Sequence, residues 1–265
     1  MTIDQNRPSA VQRHRSAWGY LAAGGILLGG VVTYLVVLFV MIDTQNVNFF
    51  PSLLFVGAIT VPVSVLVFVY QAAPLARVPT WSIVFTAIVG GLIGVIAAGL
   101  LEYDTLHRLG ALPMVLVAII EEAAKLIVPV ILYLLWRPNN PRGGIIIGIA
   151  SGMGFATLET MGYGFQALLA GGIAAVDDTL LLRGLTSPAC HIAWTGMTVA
   201  MLWRIRTADH HVRAFLAFLL TYGVAVTLHA VWDSSTSLLI HVGIAAFGLI
   251  VLVAFVLAAR RPLRS

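Results

Sequence analysis

Seven ionisable side chains sit inside stretches that are otherwise apolar. Glu121, Glu122 and Lys125 share one run, Glu159 lies in the next, His191 in the one after, and His229 with Asp233 in the following run. Carboxylates and imidazoles together can move protons, activate water or hold a divalent metal. They are costly in a bilayer: even low estimates put a central Asp or Lys at about 2.5–3.5 kcal/mol. Such groups must face a helix-bundle interior or a water-filled cavity, where a functional site is the default expectation.

Helical spacing sharpens the pattern. Lys125, the single lysine of the chain, lies four residues after Glu121 and three after Glu122, so it can pair with either. The two carboxylates point about 100° apart around a helix. One is therefore expected to be tied to Lys125 and the other to be free for chemistry; the spacing does not say which. Phe155, Glu159 and Tyr163 follow at i, i+4 and i+8 and line one stripe. Beside it runs a row of small residues, Gly144, Gly148, Gly152, Ala156, Thr160 and Gly164. Such a row lets helix backbones approach closely. His229 and Asp233 are four apart, so Asp233 can accept the proton of one ring nitrogen and leave the other facing substrate, water or metal.

Each feature has a plainer reading. Glu121, Glu122 and Lys125 could form an internal salt-bridge latch. Glu159 could merely bond Tyr163, His191 could be interfacial, and His229 with Asp233 could be a helix-end hydrogen bond. Cys190 beside His191 suggests a Cys-His nucleophile, but adjacent helical residues do not face each other. The convergence of carboxylates and histidines from four consecutive runs is what outweighs the separate plain readings.

The elements that must position these groups are membrane spans. The chain of 265 residues is 60% hydrophobic and 10% charged, against about a quarter charged in a soluble domain. No soluble core of that size could absorb the apolar excess. A bilayer core needs roughly 20 apolar residues per helix, and about eight runs qualify: 17–41, 49–71, 81–101, 111–136, 143–170, 186–203, 212–233 and 237–259. The fold class is thus all-α, a polytopic transmembrane helix bundle. The first run is too long for a signal-peptide core and is expected to be retained. Residues 1–16 form a polar tail, expected to be disordered and cytoplasmic, and 17–265 form one transmembrane domain with its motif-bearing core over 111–233.

Charge sets the orientation. Arg7, Arg13, Arg15, Arg77, Arg137, Arg142, Arg204, Arg206, Arg213, Arg260, Arg261 and Arg264 fall on one side of an eight-span arrangement. The other side carries Arg108 and Arg183 with Asp43, Glu102, Asp104, Asp177 and Asp178. The positive-inside rule then puts both termini in the cytoplasm. Net charge is +4, but topology accounts for it and no nucleic-acid partner is expected. Glu121 and Glu122 lie about ten residues into their span from the outer end, or roughly 15 Å. Glu159, His191 and His229 reach the same outer layer. The single cysteine excludes an internal disulfide. Arg in place of Lys, with abundant Ala, Gly and Val, points to a bacterial GC-rich genome and a bacterial cell membrane.

Glu121-Glu122-Ala123-Ala124-Lys125 matches E-E-x-x-K, Phe155 to Tyr163 matches F-x-x-x-E-x-x-x-Y, a lone His191 follows, and His229 to Asp233 matches H-x-x-x-D. This ordered set resembles the PrsW family of intramembrane proteases, relatives of the CAAX-processing membrane proteases. The CAAX branch has His where this chain has Glu159, which favours the PrsW branch. The resemblance implies an endopeptidase acting on a membrane-anchored protein, with anti-sigma-factor-type site-1 cleavage on the extracytoplasmic side. It admits two mechanisms. In one, Glu121 or Glu122 is the general base, His191 and His229 position the water or hold the oxyanion, and no metal takes part. In the other, His191, His229 and Glu159 bind zinc or another divalent ion. Lys125, Phe155, Tyr163 and Asp233 support the site in either. Two rivals remain: a proton-coupled transporter, against which stands the lack of an inverted repeat, and a non-catalytic membrane scaffold.

Overall fold

The computed structural model describes residues 10–260 apart from 74, 75, 77, 111, 137–139, 141 and 187. Residues 1–9 of the expected tail lie outside that set, as do Arg7, Arg77, Arg137, Arg261 and Arg264 of the orientation argument. Among the described residues there are nine α-helices and no strand: α1 (Ala10–Thr44), α2 (Phe50–Ala72), α3 (Thr80–Phe85), α4 (Gly91–Leu109), α5 (Met114–Trp136), α6 (Gly143–Thr186), α7 (Ala193–Arg204), α8 (His211–Ser234) and α9 (Leu238–Arg260). A π-helical turn, Thr86–Gly90, joins α3 to α4, and another, Pro188–Ile192, leads into α7.

Six helical segments are long and apolar enough to cross a membrane: Trp18–Thr44, Val47–Ala72, Thr80–Leu109, Gly143–Thr207, His211–Ser234 and Leu238–Ala258. The protein is an integral, multi-pass membrane protein. The fifth and sixth expected spans both fall within Gly143–Thr207. The fourth is α5, which carries Glu121, Glu122 and Lys125 on an otherwise apolar helix. Large apolar side chains point outward along several helices, among them Leu28, Phe39, Leu220, Leu239 and Ile250. Exposed apolar surface on this scale marks contact with lipid.

The interior is built around α6 and α7. Ile145, Ile146, Ile149 and Ala150 of α6 pack with Ile192, Trp194 and Met197. The row of small residues makes this approach possible. A Cβ on Gly148 would lie 2.5 Å from Thr195 O, and one on Gly152 would lie 2.5 Å from His191 O. Glycine is thus required where α6 crosses the backbone that carries His191.

Pro129 in α5 leaves the Lys125 carbonyl without its i+4 partner. The Ser151 hydroxyl of α6 donates to that carbonyl at 2.6 Å, so the break in α5 is satisfied by its neighbour. Tyr222 OH of α8 donates to Ile119 O at 2.9 Å and ties α8 to α5.

One segment departs from expectation. Residues 171–185, read from sequence as the outer connection holding Asp177, Asp178 and Arg183, are helical. Within α6, Gly172 has φ 70° and ψ −161°, a conformation open essentially to glycine alone. The chain reverses there and runs back along its own first half. Arg183 consequently meets Thr160, 23 residues earlier. The returning segment is braced by α1 and α2: Val176 and Leu180 pack with Met41, Leu53 and Leu54, and Tyr34 OH donates to Asp177 Oδ1 at 2.5 Å.

Candidate active site

α5, α6, the Pro188–Ile192 turn and α8 deliver their polar groups to one place. Lys125 Nζ lies at the centre, fully buried. It is 2.7 Å from Glu122 Oε1, 2.9 Å from His191 Nδ1 and 3.4 Å from Glu121 Oε2. Phe155 closes one side, with Nζ 4.4 Å from its ring centre. The two carboxylates therefore both face the lysine, but unequally. Glu122 also accepts from His229 Nδ1 at 2.9 Å and is 2% exposed. Glu121 is held only by longer contacts, 3.4 Å to Lys125 and 3.5 Å to His229 Nε2.

The Glu122 contact fixes the orientation of His229. A carboxylate accepts, so Nδ1 carries the proton and donates. Asp233, expected from its spacing to meet one ring nitrogen, does so, its Oδ2 lying 3.2 Å from Nε2. The other nitrogen, expected to be free, is taken by Glu122 from another helix. Nε2 thus faces two carboxylates, Asp233 at 3.2 Å and Glu121 at 3.5 Å, which an Nε2–H donor or a bound cation would satisfy.

His191 bridges the cluster to α6. Lys125 donates to its Nδ1, while Nε2 lies 3.3 Å from Glu159 Oε2. That carboxylate is paired with Arg183 Nη2 at 2.7 Å, and the guanidinium stacks on Tyr163 at 4.1 Å. The π turn brings His191 to this position. Such turns frequently occur at functional sites because they re-aim one side chain. Trp194, one helical turn on and fully buried, packs against both imidazoles, 5.9 Å from His191 and 5.5 Å from His229. The two histidine rings meet edge-on at 5.2 Å.

Glu121, Glu122, Lys125, Phe155, Glu159, Tyr163, His191, His229 and Asp233 thus all belong to one connected group. Arg183 and Trp194 also belong to it, and neither is singled out by the sequence. Arg183 had been assigned to an outer loop, and nothing local to it signals the reversal at Gly172.

Glu121, His191 and His229 offer ligand atoms that lie within 4.8 Å of one another, and all three residues are buried. Two imidazoles and a carboxylate are a common divalent-metal set, zinc above all. The donor chemistry fits. This trio contains Glu121 where sequence reasoning had placed Glu159, whose carboxylate faces Arg183.

The sequence model of one family, described as PrsW family intramembrane metalloprotease, matches residues 78–259, well over half of the chain. No curated protein and no solved structure matches.

Proposed function

The chain belongs to the PrsW family of intramembrane metalloproteases, and on that premise we propose that this peptide hydrolase cleaves a membrane-anchored protein through water activated beside Glu121. The unequal hold on the two glutamates carries the assignment. Glu122 is locked by Lys125 and His229 at hydrogen-bonding distance, so it serves as the buried anchor of both. Glu121 has only long contacts and is the carboxylate free to take a proton from water.

His229, oriented by Glu122, presents Nε2 to the same point. His191 lies across from it and can hold a developing negative charge or pass a proton to the leaving amine. Lys125 keeps the excess negative charge of the cluster compensated. In the metal-dependent alternative Glu121, His191 and His229 would instead hold the family's metal, zinc by donor type, which would polarise water or the scissile carbonyl, and Glu121 would then be a ligand and not the base.

The eight-span arrangement with both termini cytoplasmic puts this layer in the outer half of a bacterial plasma membrane. Its support is the arginine asymmetry of the sequence. Cleavage on the extracytoplasmic side, of the anti-sigma-factor site-1 type, is consistent with that depth.

The test is cleavage of a tagged single-span membrane protein by the full chain in liposomes. Glu121→Gln and His229→Ala are expected to lower the rate by about 10²–10⁴-fold, the usual worth of a positioned acid or base. Wild-type rates in both variants would overturn the reading.

A further inference from the structure

Arg183 lies in the returning helical segment, five residues after Asp178, with its side chain 19% exposed. Nothing in its local sequence requires a charge there, and an ionisable residue at such depth calls for a named partner. Its contacts are specific. Nη2 lies 2.7 Å from Glu159 Oε2, Nε donates to Thr160 Oγ1 at 3.2 Å, and the plane covers Tyr163. The same oxygen, Glu159 Oε2, lies 3.3 Å from His191 Nε2. Arg183 and His191 also line one cavity of about 60 Å³, whose wall is completed by Leu182, Thr186, Cys190 and Trp232.

The fold goes to some length to place this group. Gly172 adopts its glycine-only conformation, and the returning helix is braced by Tyr34 of α1 and by Leu53 and Leu54 of α2. Both bracing helices lie outside the residues that the family model matches. Without Arg183 the Glu159 carboxylate would keep only the 3.3 Å approach to His191 and would be free to turn away from it.

We infer that Arg183 is a positioning residue, which clamps Glu159 against His191 and thereby holds that imidazole at the reaction centre. The inference rests on the protease reading above and adds a residue to it.

The experiment measures rate against substrate density in liposomes, with a tagged single-span protein that the wild type cuts, for Arg183→Lys, Arg183→Gln, Glu159→Gln and the Arg183→Gln/Glu159→Gln pair. Supporting partners of this kind are worth about 10- to 100-fold. Arg183→Gln is expected to lower kcat by that factor with KM little changed, and Arg183→Lys to recover most of it. The double variant should be no slower than Glu159→Gln alone, because the clamp acts only through that carboxylate. Wild-type kcat in Arg183→Gln, a loss confined to KM, or losses that multiply in the pair would each overturn the inference. Should Arg183→Gln fail to fold, Arg183→Lys decides. A folded lysine variant near the wild-type rate supports the clamp, and one as slow as Glu159→Gln overturns it. A wild-type chain that cuts no substrate at all refutes the protease reading instead.

Discussion

Lys125→Met removes the centre of the buried cluster while keeping the length of the side chain. Three contacts vanish: 2.7 Å to Glu122, 2.9 Å to His191 and 3.4 Å to Glu121. Glu122 is left with His229 Nδ1 alone, and Glu121 with a 3.5 Å approach to His229 Nε2. Two carboxylates then share a site without their cation. Breaking a buried ion pair from one side costs about 3–5 kcal/mol. For a chain of this size, with roughly 2–4 °C of melting temperature per kcal/mol, that corresponds to a fall of roughly 6–20 °C. Cys190 provides the assay. It is the only cysteine, is buried beside His191, and becomes reactive to a maleimide only when this region opens. At about tenfold per 1.4 kcal/mol, its alkylation rate should rise by roughly two to three and a half orders of magnitude. Adding Glu122→Gln removes one of the stranded charges and should return part of the loss. Alkylation and melting indistinguishable from wild type in Lys125→Met, or strictly additive losses in the pair, would refute the claim that Lys125 compensates the carboxylates.

Gly152→Ala places a Cβ 2.5 Å from His191 O, and neither backbone can retreat easily. Overpacking of this kind costs about 1–3 kcal/mol; melting temperature should fall and cleavage with it. Gly162→Ala, on the same helix with open space around it, should melt no lower than wild type. Metal analysis of protein purified without chelators should find about one divalent ion per chain, held by the two imidazoles and one carboxylate. Glu121→Gln, His191→Ala and His229→Ala should each lower that content. Full activity from a metal-free preparation would rule out the metal-dependent mechanism.

That Lys125 reaches a carboxylate on its own helix was legible from spacing alone, because i,i+3 and i,i+4 neighbours meet whatever surrounds them; spacing predicted one such partner, and the structure gives Lys125 both. Legible in the same way were Phe155, Glu159 and Tyr163 on one stripe, and the close approach at Gly148 and Gly152. Which carboxylate is free was not legible. That depends on His229 reaching across from α8 to take Glu122, a contact between residues 107 apart in the chain. Asp233 was legible as a partner of His229 from its i,i+4 spacing and lies 3.2 Å from Nε2; that Glu122, from another helix, occupies the other ring nitrogen was not legible.

The sequence by itself determined the solvent and the raw materials. An excess of apolar residues demands a bilayer, and a few ionisable groups within it must turn inward, since desolvation there is costly. Composition and helical periodicity are local properties, so they survive without knowledge of the fold. Only the tertiary structure decided how the groups divide their work. A single backbone conformation at Gly172 turns an expected loop into a helix that returns Arg183 to Glu159. A π turn aims His191, and the crossing of α5 and α8 locks Glu122 while leaving Glu121 loosely held. These outcomes depend on distances of a few ångströms between residues far apart in the chain. Helical spacing carries no record of them.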